Sequence, residues 1–121
     1  MSAARESVEA PEETRQREEI PLPDLLSVAL GAPRDCPEAA ERTRVHIALR
    51  ARITALLPVV QAQMKTLPGR SRSWYARDTA VHDAQQWMTG GLSPSPMAAG
   101  VHLAELGRRL KTLDEFAREE L

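Results

Sequence analysis

One apolar stripe constrains the fold of this chain more than any other feature of its sequence. Large apolar side chains recur every three or four residues at Val45, Leu49, Ile53, Leu56, Val60, Met64 and Leu67. This spacing places them on one face of a long α-helix. Asp35 and Glu38 flank Pro37 and predict a capping box at the helix start. Pro58 lies inside the stripe and predicts a kink or a break there.

The last helix of the chain is predicted from a second stripe. Ser95 can act as its N-cap, and Pro96 suits the first helical position. Six apolar residues follow in alternating steps of four and three, which is typical of a coiled-coil seam: Ala99, Leu103, Leu106, Leu110, Leu113 and Ala117. Gly100 and Gly107 also lie here, and each costs roughly 1 kcal/mol relative to alanine. Either that cost is tolerated or a neighbouring helix approaches closely.

Two shorter helices complete the predicted set. Pro23 can open a helix over residues 23–30, and Gly31 is placed to close it. Ser71 or Ser73 can cap another helix that runs to about residue 88, where a pair of glycines ends it. The middle helix of the chain is therefore shorter than the two that carry the long stripes.

These elements predict an all-α fold. Three amphipathic helices can pack as an up-down-up bundle, with the short helix as an extra N-terminal element. Aromatic residues make up only 3% of the chain, so the core must come from aliphatic side chains that suit helices. Residues 2–19 are charged and almost without large apolar side chains. We therefore expect a disordered tail at 1–22 and a bundle domain at 23–121.

Charge and cysteine content restrict the compartment. The net charge of −1 provides no overall field to attract a polyanion or a membrane surface. Cys36 is the only cysteine, so an internal disulfide cannot form. The N-terminal residues lack the apolar run of a secretory signal, and no stretch approaches the apolar length of a membrane span. The sequence thus predicts a soluble cytoplasmic protein that does not enter a membrane.

Candidate catalytic and metal-binding residues are few. Asp78 and His82 are four residues apart, and each can face the same side of a helix. His102 and Glu105 are three apart, as in carboxylate-bridged metal bundles, but such bundles need further carboxylates from facing helices. The stripe of the long helix has none, and the third histidine is His46. We predict no catalytic residue, no metal and no cofactor; a cryptic metal-dependent enzyme is one alternative.

Basic residues support a different alternative. Arginines cluster on the long helix and across the turn that follows it: Arg42, Arg44, Arg50, Arg52, Arg70 and Arg72. Together they can grip phosphates. Acidic residues such as Glu41 are interspersed, however, as on a solvated mixed-charge face. A small nucleic-acid-binding regulator that uses this Arg-rich face is the alternative prediction.

The rare aromatic residues provide the candidate partner-binding surface. Trp74 is expected in the core and Tyr75 outside it, beside Arg77, because Trp, Tyr and Arg dominate interface hot spots. The two long helices can overhang the shorter one, leaving seam near Leu113 for a second copy of the chain. The leading prediction is a non-catalytic adaptor or regulatory protein that binds a partner protein, or forms a homodimer, through Trp74, Tyr75, Arg77 and Leu113.

Three segments resemble a known family. They are the run Leu49–Val60 with its Leu56-Leu57-Pro58, the pair Trp74-Tyr75 after Leu67-Pro68, and the run His102–Leu110. Together they resemble small actinobacterial proteins of unknown function usually labelled "natural product biosynthesis protein", over about residues 22–113. Ala51-Arg52 and Leu110 depart from the family pattern of a small residue followed by His and of a Cys. The resemblance implies an actinobacterial cytoplasmic protein connected with specialised metabolism, without an established catalytic residue.

Overall fold

A computed structural model describes residues 20–120, which form four α-helices joined by short loops. The helices are α1 (Leu22–Asp35), α2 (Ala39–Thr66), α3 (Arg72–Trp87) and α4 (Pro96–Arg118). No strand occurs between residues 20 and 120, and the all-α prediction is confirmed. The disordered tail expected at residues 1–22 lies outside this range except at its end, where Leu22 begins α1.

The helix α4 is the centre of the arrangement, because the three most extensive helix–helix contacts of the fold all involve it. Its predicted seam is buried from Ala99 to Leu113. The seam is covered by the chain's own helices, and Leu113 is 0% exposed. The prediction that seam near Leu113 stays open for a second copy is therefore wrong. The helix α1, which the sequence suggested was an accessory, also packs extensively on α4, on the side of Gly100 and Gly107.

Contact between α1 and α4 depends on two glycines. A Cβ atom at Gly100 would lie 3.0 Å from the carbonyl oxygen of Ala32, and one at Gly107 would lie 3.0 Å from the Cβ of Ala29. The close approach considered for these glycines is thus confirmed. Ala29 and Ala32 are buried in this contact, which favours helical backbone on both sides of Gly31. The prediction that Gly31 ends α1 is wrong, because the helix continues for another turn.

The junction between α1 and α2 differs from the predicted capping box. Asp35 belongs to α1 and pairs with Arg34 at 3.0 Å, so its carboxylate does not cap α2. Glu38 is the N-cap of α2 but makes no side-chain capping bond. Cys36 closes α1 instead: it adopts a left-handed conformation with φ 46°, and its N–H donates to the oxygen of Ala32 at 3.0 Å. A non-glycine residue at this position is uncommon.

The helix α2 runs without interruption through Pro58. Of the two outcomes expected there, the break is excluded. Pro58 and Thr54, whose carbonyl loses its helical donor, are both exposed, so solvent can satisfy the freed oxygen. The predicted stripe faces inward, with Val45, Leu49, Ile53 and Val60 buried.

By length and composition alone, α2 also reaches the threshold for a helix that crosses a membrane. Core helices of folded proteins pass the same test, so this is weak evidence. The prediction that no stretch approaches the apolar length of a membrane span does not hold for α2.

Serine caps fix the starts of the last two helices as predicted. The hydroxyl of Ser71 accepts a hydrogen bond from the N–H of Trp74 at 3.2 Å. The hydroxyl of Ser95 accepts one from the N–H of Ala98 at 3.5 Å, with Pro96 at the first position of α4. These bonds satisfy backbone donors that a helix start otherwise leaves unpaired.

Replacing Gly100 by alanine tests the contact between α1 and α4. The new Cβ would meet only backbone atoms of Ala32 and Pro33, at 3.0–3.2 Å, so α1 must shift. Overpacking of about 1–3 kcal/mol should exceed the gain in helix propensity of about 1 kcal/mol. We expect Gly100→Ala to lower the free energy of unfolding in a urea titration. The control Gly90→Ala has no atom within 4 Å and should change it by less than about 0.5 kcal/mol; an equally stable Gly100→Ala would contradict the contact.

Candidate partner-binding groove

The helix α2 carries a second line of residues beside its buried stripe; Val45 and Ala48 of this line are buried, whereas its other apolar members are exposed. Its members keep steps of one, three and four residues along one flank of the helix: Glu41, Arg44, Val45, Ala48, Ala51, Arg52, Ala55, Val59, Ala62, Gln63 and Thr66. Three successive depressions of the protein surface are lined by these residues. We call this surface the α2 groove. It follows the helix for about 38 Å.

The three depressions share α2 as one wall and differ in the residues that form the other wall. The first, of about 470 Å³, lies between the start of α2 and the start of α1, where Pro21 and Val28 line it. The middle one, of about 310 Å³, is lined by α2 itself, from Ala48 to Ala55. The last, of about 570 Å³, is bounded by Leu67 and Glu119. Among residues 20–120, the two end depressions have a second wall, and the middle one is lined by residues of α2.

Small apolar side chains dominate the α2 groove. Ala51, Ala55 and Ala62 are exposed, and Val59 is 43% exposed. A helix that is apolar around much of its circumference is normally covered there, whereas these four residues of α2 are exposed. Contiguous exposed apolar residues are candidates for an interaction surface.

Sequence reasoning missed this line although its spacing is readable. An apolar stripe is recognised in a sequence mainly from large apolar side chains, and alanine adds little to such a stripe. Ala48, Ala51, Ala55, Val59 and Ala62 nevertheless repeat in steps of three, four, four and three. That pattern was the available signal.

Charged residues of both signs line the α2 groove: Asp24, Glu41 and Glu119 are acidic, and Arg44 and Arg52 are basic. Between positions 42 and 66, α2 has five basic residues and no acidic one: Arg42, Arg44, Arg50, Arg52 and Lys65. Glu41, just before them, forms an ion pair with Arg44 at 3.0 Å. The hydrogen bond from Arg44 lowers the pKa of the Glu41 carboxyl below its usual value.

The arginines predicted to contact nucleic acid do not form one face. Three of them donate hydrogen bonds of 2.6–2.7 Å to backbone carbonyl oxygens: Arg42 to Pro37, Arg50 to Met88 and Arg52 to Ile20. Arg50 reaches the end of α3, whereas Arg52 reaches the start of the described chain, so the two lie on different sides of α2. Arg70 and Arg72 are exposed beyond its end. The prediction of a single Arg-rich face is wrong.

Two of the four predicted partner contacts are inaccessible. Arg77 is 2% exposed and Leu113 is 0% exposed, so the expected surface positions of both are wrong. Tyr75 is 49% exposed, as predicted. Trp74 is half-buried and packs edge-to-face with Tyr75 at 5.2 Å between ring centroids. It is not in the core as predicted, because it lies in the first turn of α3, ahead of the buried residues of that helix, which begin at Arg77.

Arg77 braces one end of the α2 groove. Its guanidinium donates to Oε1 of Gln63 at 3.0 Å, to the carbonyl oxygen of Ser73 at 3.3 Å and to Oε1 of Glu119 at 2.5 Å. It also lies 4.5 Å from the ring centroid of Phe116. These contacts join α2, α3 and the end of α4, and two of the bonded residues line the last depression. A buried arginine is stable only with such partners.

Two of the three histidines meet away from the α2 groove. The rings of His46 on α2 and His102 on α4 have centroids 5.6 Å apart, and Trp87 lies 5.7 Å from His102. The Nε2 atoms of both histidines are buried without a hydrogen-bond partner. His82 is exposed, and its Nδ1 lies 2.9 Å from the carbonyl oxygen of Asp78. The meeting of His46 and His102 could not be predicted from the sequence, because the two residues lie far apart in the chain.

Burial is the main reason that the pKa of both clustered histidines falls below its ordinary value. The pKa of His46 is lowered further by His102 and by Arg50, and that of His102 by Arg50. Both imidazoles are therefore neutral near pH 7. Within residues 20–120, no three or more His, Cys, Asp or Glu side chains group closely enough to hold a metal ion. Cys36 is exposed at the junction between α1 and α2.

Comparison with known proteins places these features in a family. A family model described as a family of unknown function, DUF6415, matches residues 22–120. The chain belongs to this family. The DUF6415 match spans all four helices, so the α2 groove, the Arg77 contacts and the histidine pair all lie inside it. No curated protein and no solved structure matches the chain.

Removing the Arg77 guanidinium should loosen the end of the α2 groove. In Arg77→Ala, Gln63 and Ser73 lose a donor inside the protein, and Glu119 loses its ion pair. We expect the free energy of unfolding to fall by about 2–4 kcal/mol. The exposed Arg72→Ala serves as the control and should stay within about 0.5 kcal/mol of the parent. Equal stabilities of the two variants in urea titrations would show that Arg77 does not brace the fold.

The histidine pair should make stability depend on pH. The folded-state pKa values lie below the unfolded value of about 6.5. At a pH between these pKa values, the unfolded chain therefore binds more protons than the folded chain. Stability contributed by the neutral pair is therefore complete above about pH 6.5 and is lost as pH falls through the folded-state values. Melting temperatures should fall less steeply below pH 6.5 in the double variant His46→Gln/His102→Gln than in the parent.

The exposed His82 provides the matched control for that experiment. His82→Gln removes one imidazole from the surface and should keep the pH profile of the parent. The role of the buried pair would be disproved if His82→Gln flattened the profile as much as the double variant does.

Proposed function

We propose that this DUF6415 protein is a non-catalytic helical adaptor or regulatory protein that binds another protein through the α2 groove. One observation carries the proposal: the outer side of α2 exposes Ala51, Ala55, Val59 and Ala62 in a continuous line. Covering such a line removes apolar surface from water, which is the main favourable term in protein association. A rigid helix also presents this line without an ordering cost.

Trp74 and Tyr75, two of the four residues predicted to contact a partner, support a second part of the interface. Tyr75 is exposed and is held edge-to-face by Trp74. A Tyr ring fixed in this way provides contact area at little loss of side-chain entropy, as in many interface hot spots. Arg77 and Leu113 take part only indirectly, because both are buried.

The cellular setting belongs to the same proposal. We place the protein in the cytoplasm of an actinobacterium, in connection with specialised metabolism. The support is the resemblance of Leu49–Val60, Trp74-Tyr75 and His102–Leu110 to the proteins carrying the "natural product biosynthesis" label. Nucleic-acid binding is the weaker candidate, because Arg50 and Arg52 diverge from one another and bond to the chain itself.

Site-specific photocrosslinking tests the proposal. A diazirine side chain introduced at Ala55 would lie in the α2 groove, and one at the neighbouring Thr54, which is also exposed, would lie outside it. In the living cell we expect position 55 to form a discrete protein adduct and position 54 to give only background. Equal labelling at both positions, or a nucleic-acid adduct in place of a protein adduct, would disprove the proposed role of the α2 groove.

A further inference from the structure

We propose that His46 and His102 form a two-ligand site for a monovalent copper ion, Cu⁺, which joins α2 to α4. The sequence predicted no metal because it offered only pairs of residues within a single helix, whereas these two ligands come from different helices. The pair lies away from the α2 groove, so this site goes beyond the proposed adaptor function and does not depend on it.

The distance between the two rings suits a shared ion. The ring centroids of His46 and His102 are 5.6 Å apart, with an angle of 55° between the ring planes. Metal–imidazole bonds are about 2 Å long and a ring nitrogen lies roughly 1 Å from its centroid, so two imidazoles on one ion have centroids about 5–6 Å apart. The fold therefore already holds the two rings at the spacing that a shared ion requires.

Both Nε2 atoms are uncommitted donors. Each is buried and has no hydrogen-bond partner among residues 20–120, whereas buried polar atoms nearly always have one. Burial, with Arg50 close by, holds the pKa of both imidazoles below its ordinary value. Metal binding requires neutral imidazole, so at pH 7 no proton has to be displaced before His46 and His102 bind an ion.

The enclosure of these atoms favours a single ion over a larger ligand. Both Nε2 atoms are closed to solvent, although each histidine as a whole is only half-buried. The ring of Trp87 lies 5.7 Å from that of His102. An indole donates a hydrogen bond but has no lone pair for a metal, so Trp87 acts as a wall of the site. An ion needs only the space between the nitrogens of His46 and His102.

The number of ligands distinguishes Cu⁺ from the other ions that imidazole binds, which include zinc, iron and nickel. Structural zinc sites almost always have four protein ligands. Within residues 20–120, however, no three His, Cys, Asp or Glu side chains lie close enough together to hold an ion. Cu⁺ has a filled d shell and is stable with two nitrogen ligands. A two-imidazole site is therefore complete for Cu⁺ and incomplete for Zn²⁺.

Positive charge around the pair also favours a monovalent ion. Arg50 lies near enough to both rings to lower their pKa values. Glu105, three residues after His102, is paired with Arg108 and Arg109, so its negative charge is already compensated. Repulsion between an arginine and a bound cation grows with the charge of the cation. Cu⁺ therefore meets less repulsion at this site than Zn²⁺ does.

Anaerobic titration of the full chain with Cu⁺, in competition with a chromogenic Cu⁺ chelator, tests the site. Because the exposed thiol of Cys36 is itself a soft ligand for Cu⁺, every protein carries Cys36→Ser. We expect one ion per chain. His46→Gln and His102→Gln should each weaken binding at least about tenfold, since even the outer partners of a metal ligand account for about 10–100-fold in affinity. His82→Gln removes an exposed imidazole and should leave the affinity unchanged.

Two further measurements keep both ligands intact. Ag⁺ replaces Cu⁺ as a diamagnetic ion for NMR spectroscopy, and one equivalent should shift the Nε2 resonances of His46 and His102 but not those of His82. One equivalent of Cu⁺ should also raise the melting temperature by about 5 °C or more, because the ion binds the folded arrangement of α2 and α4 and not the unfolded chain.

Several results would overturn the proposal. Absence of one-to-one binding, equal Cu⁺ affinity in His46→Gln, His102→Gln and His82→Gln, or Ag⁺ shifts confined to His82 would remove the site. Tighter binding of Zn²⁺ than of Cu⁺ by the same two residues would show that the ion is assigned wrongly. Photocrosslinking at position 55 reports on a different surface, so a failed metal site leaves the adaptor function to its own experiment.

Discussion

Backbone contact between α1 and α4 is the interaction on which the rest of the structure depends. Gly100 and Gly107 remove the two Cβ atoms that would hold the helices apart, and Ala29 and Ala32 fill the space that remains. With α1 in place, α4 is enclosed by three neighbours rather than two. Each Gly costs roughly 1 kcal/mol within a helix, which burial of the facing residues offsets.

The position of α1 also explains why α2 keeps one open side. Because α1 packs mainly on α4, it meets α2 only in part, and the first depression lies between their starts. The inner stripe of α2 is covered by α4 and α3, while Ala51, Ala55 and Val59 remain at the surface. Exposed apolar residues beside the buried stripe of α2 are the physical basis for the proposed binding role.

Polar contacts hold the helices at two separate places. Arg77 links α2, α3 and the end of α4 through directed hydrogen bonds, so the last wall of the α2 groove is rigid. His46 and His102 meet across α2 and α4 next to Trp87, where burial keeps them neutral. Both arrangements need side chains that lie far apart in the chain.

Sequence alone determined the local features of this protein. The inner stripe of α2, the seam of α4 and the serine caps of α3 and α4 depend on contacts within a few residues, so spacing and side-chain chemistry predict them. Only the tertiary structure decided the continuation of α1 through Gly31, the burial of Arg77 and the meeting of His46 with His102. It also decided which apolar side of α2 is covered. Burial depends on which distant elements arrive as neighbours, and no local spacing encodes that.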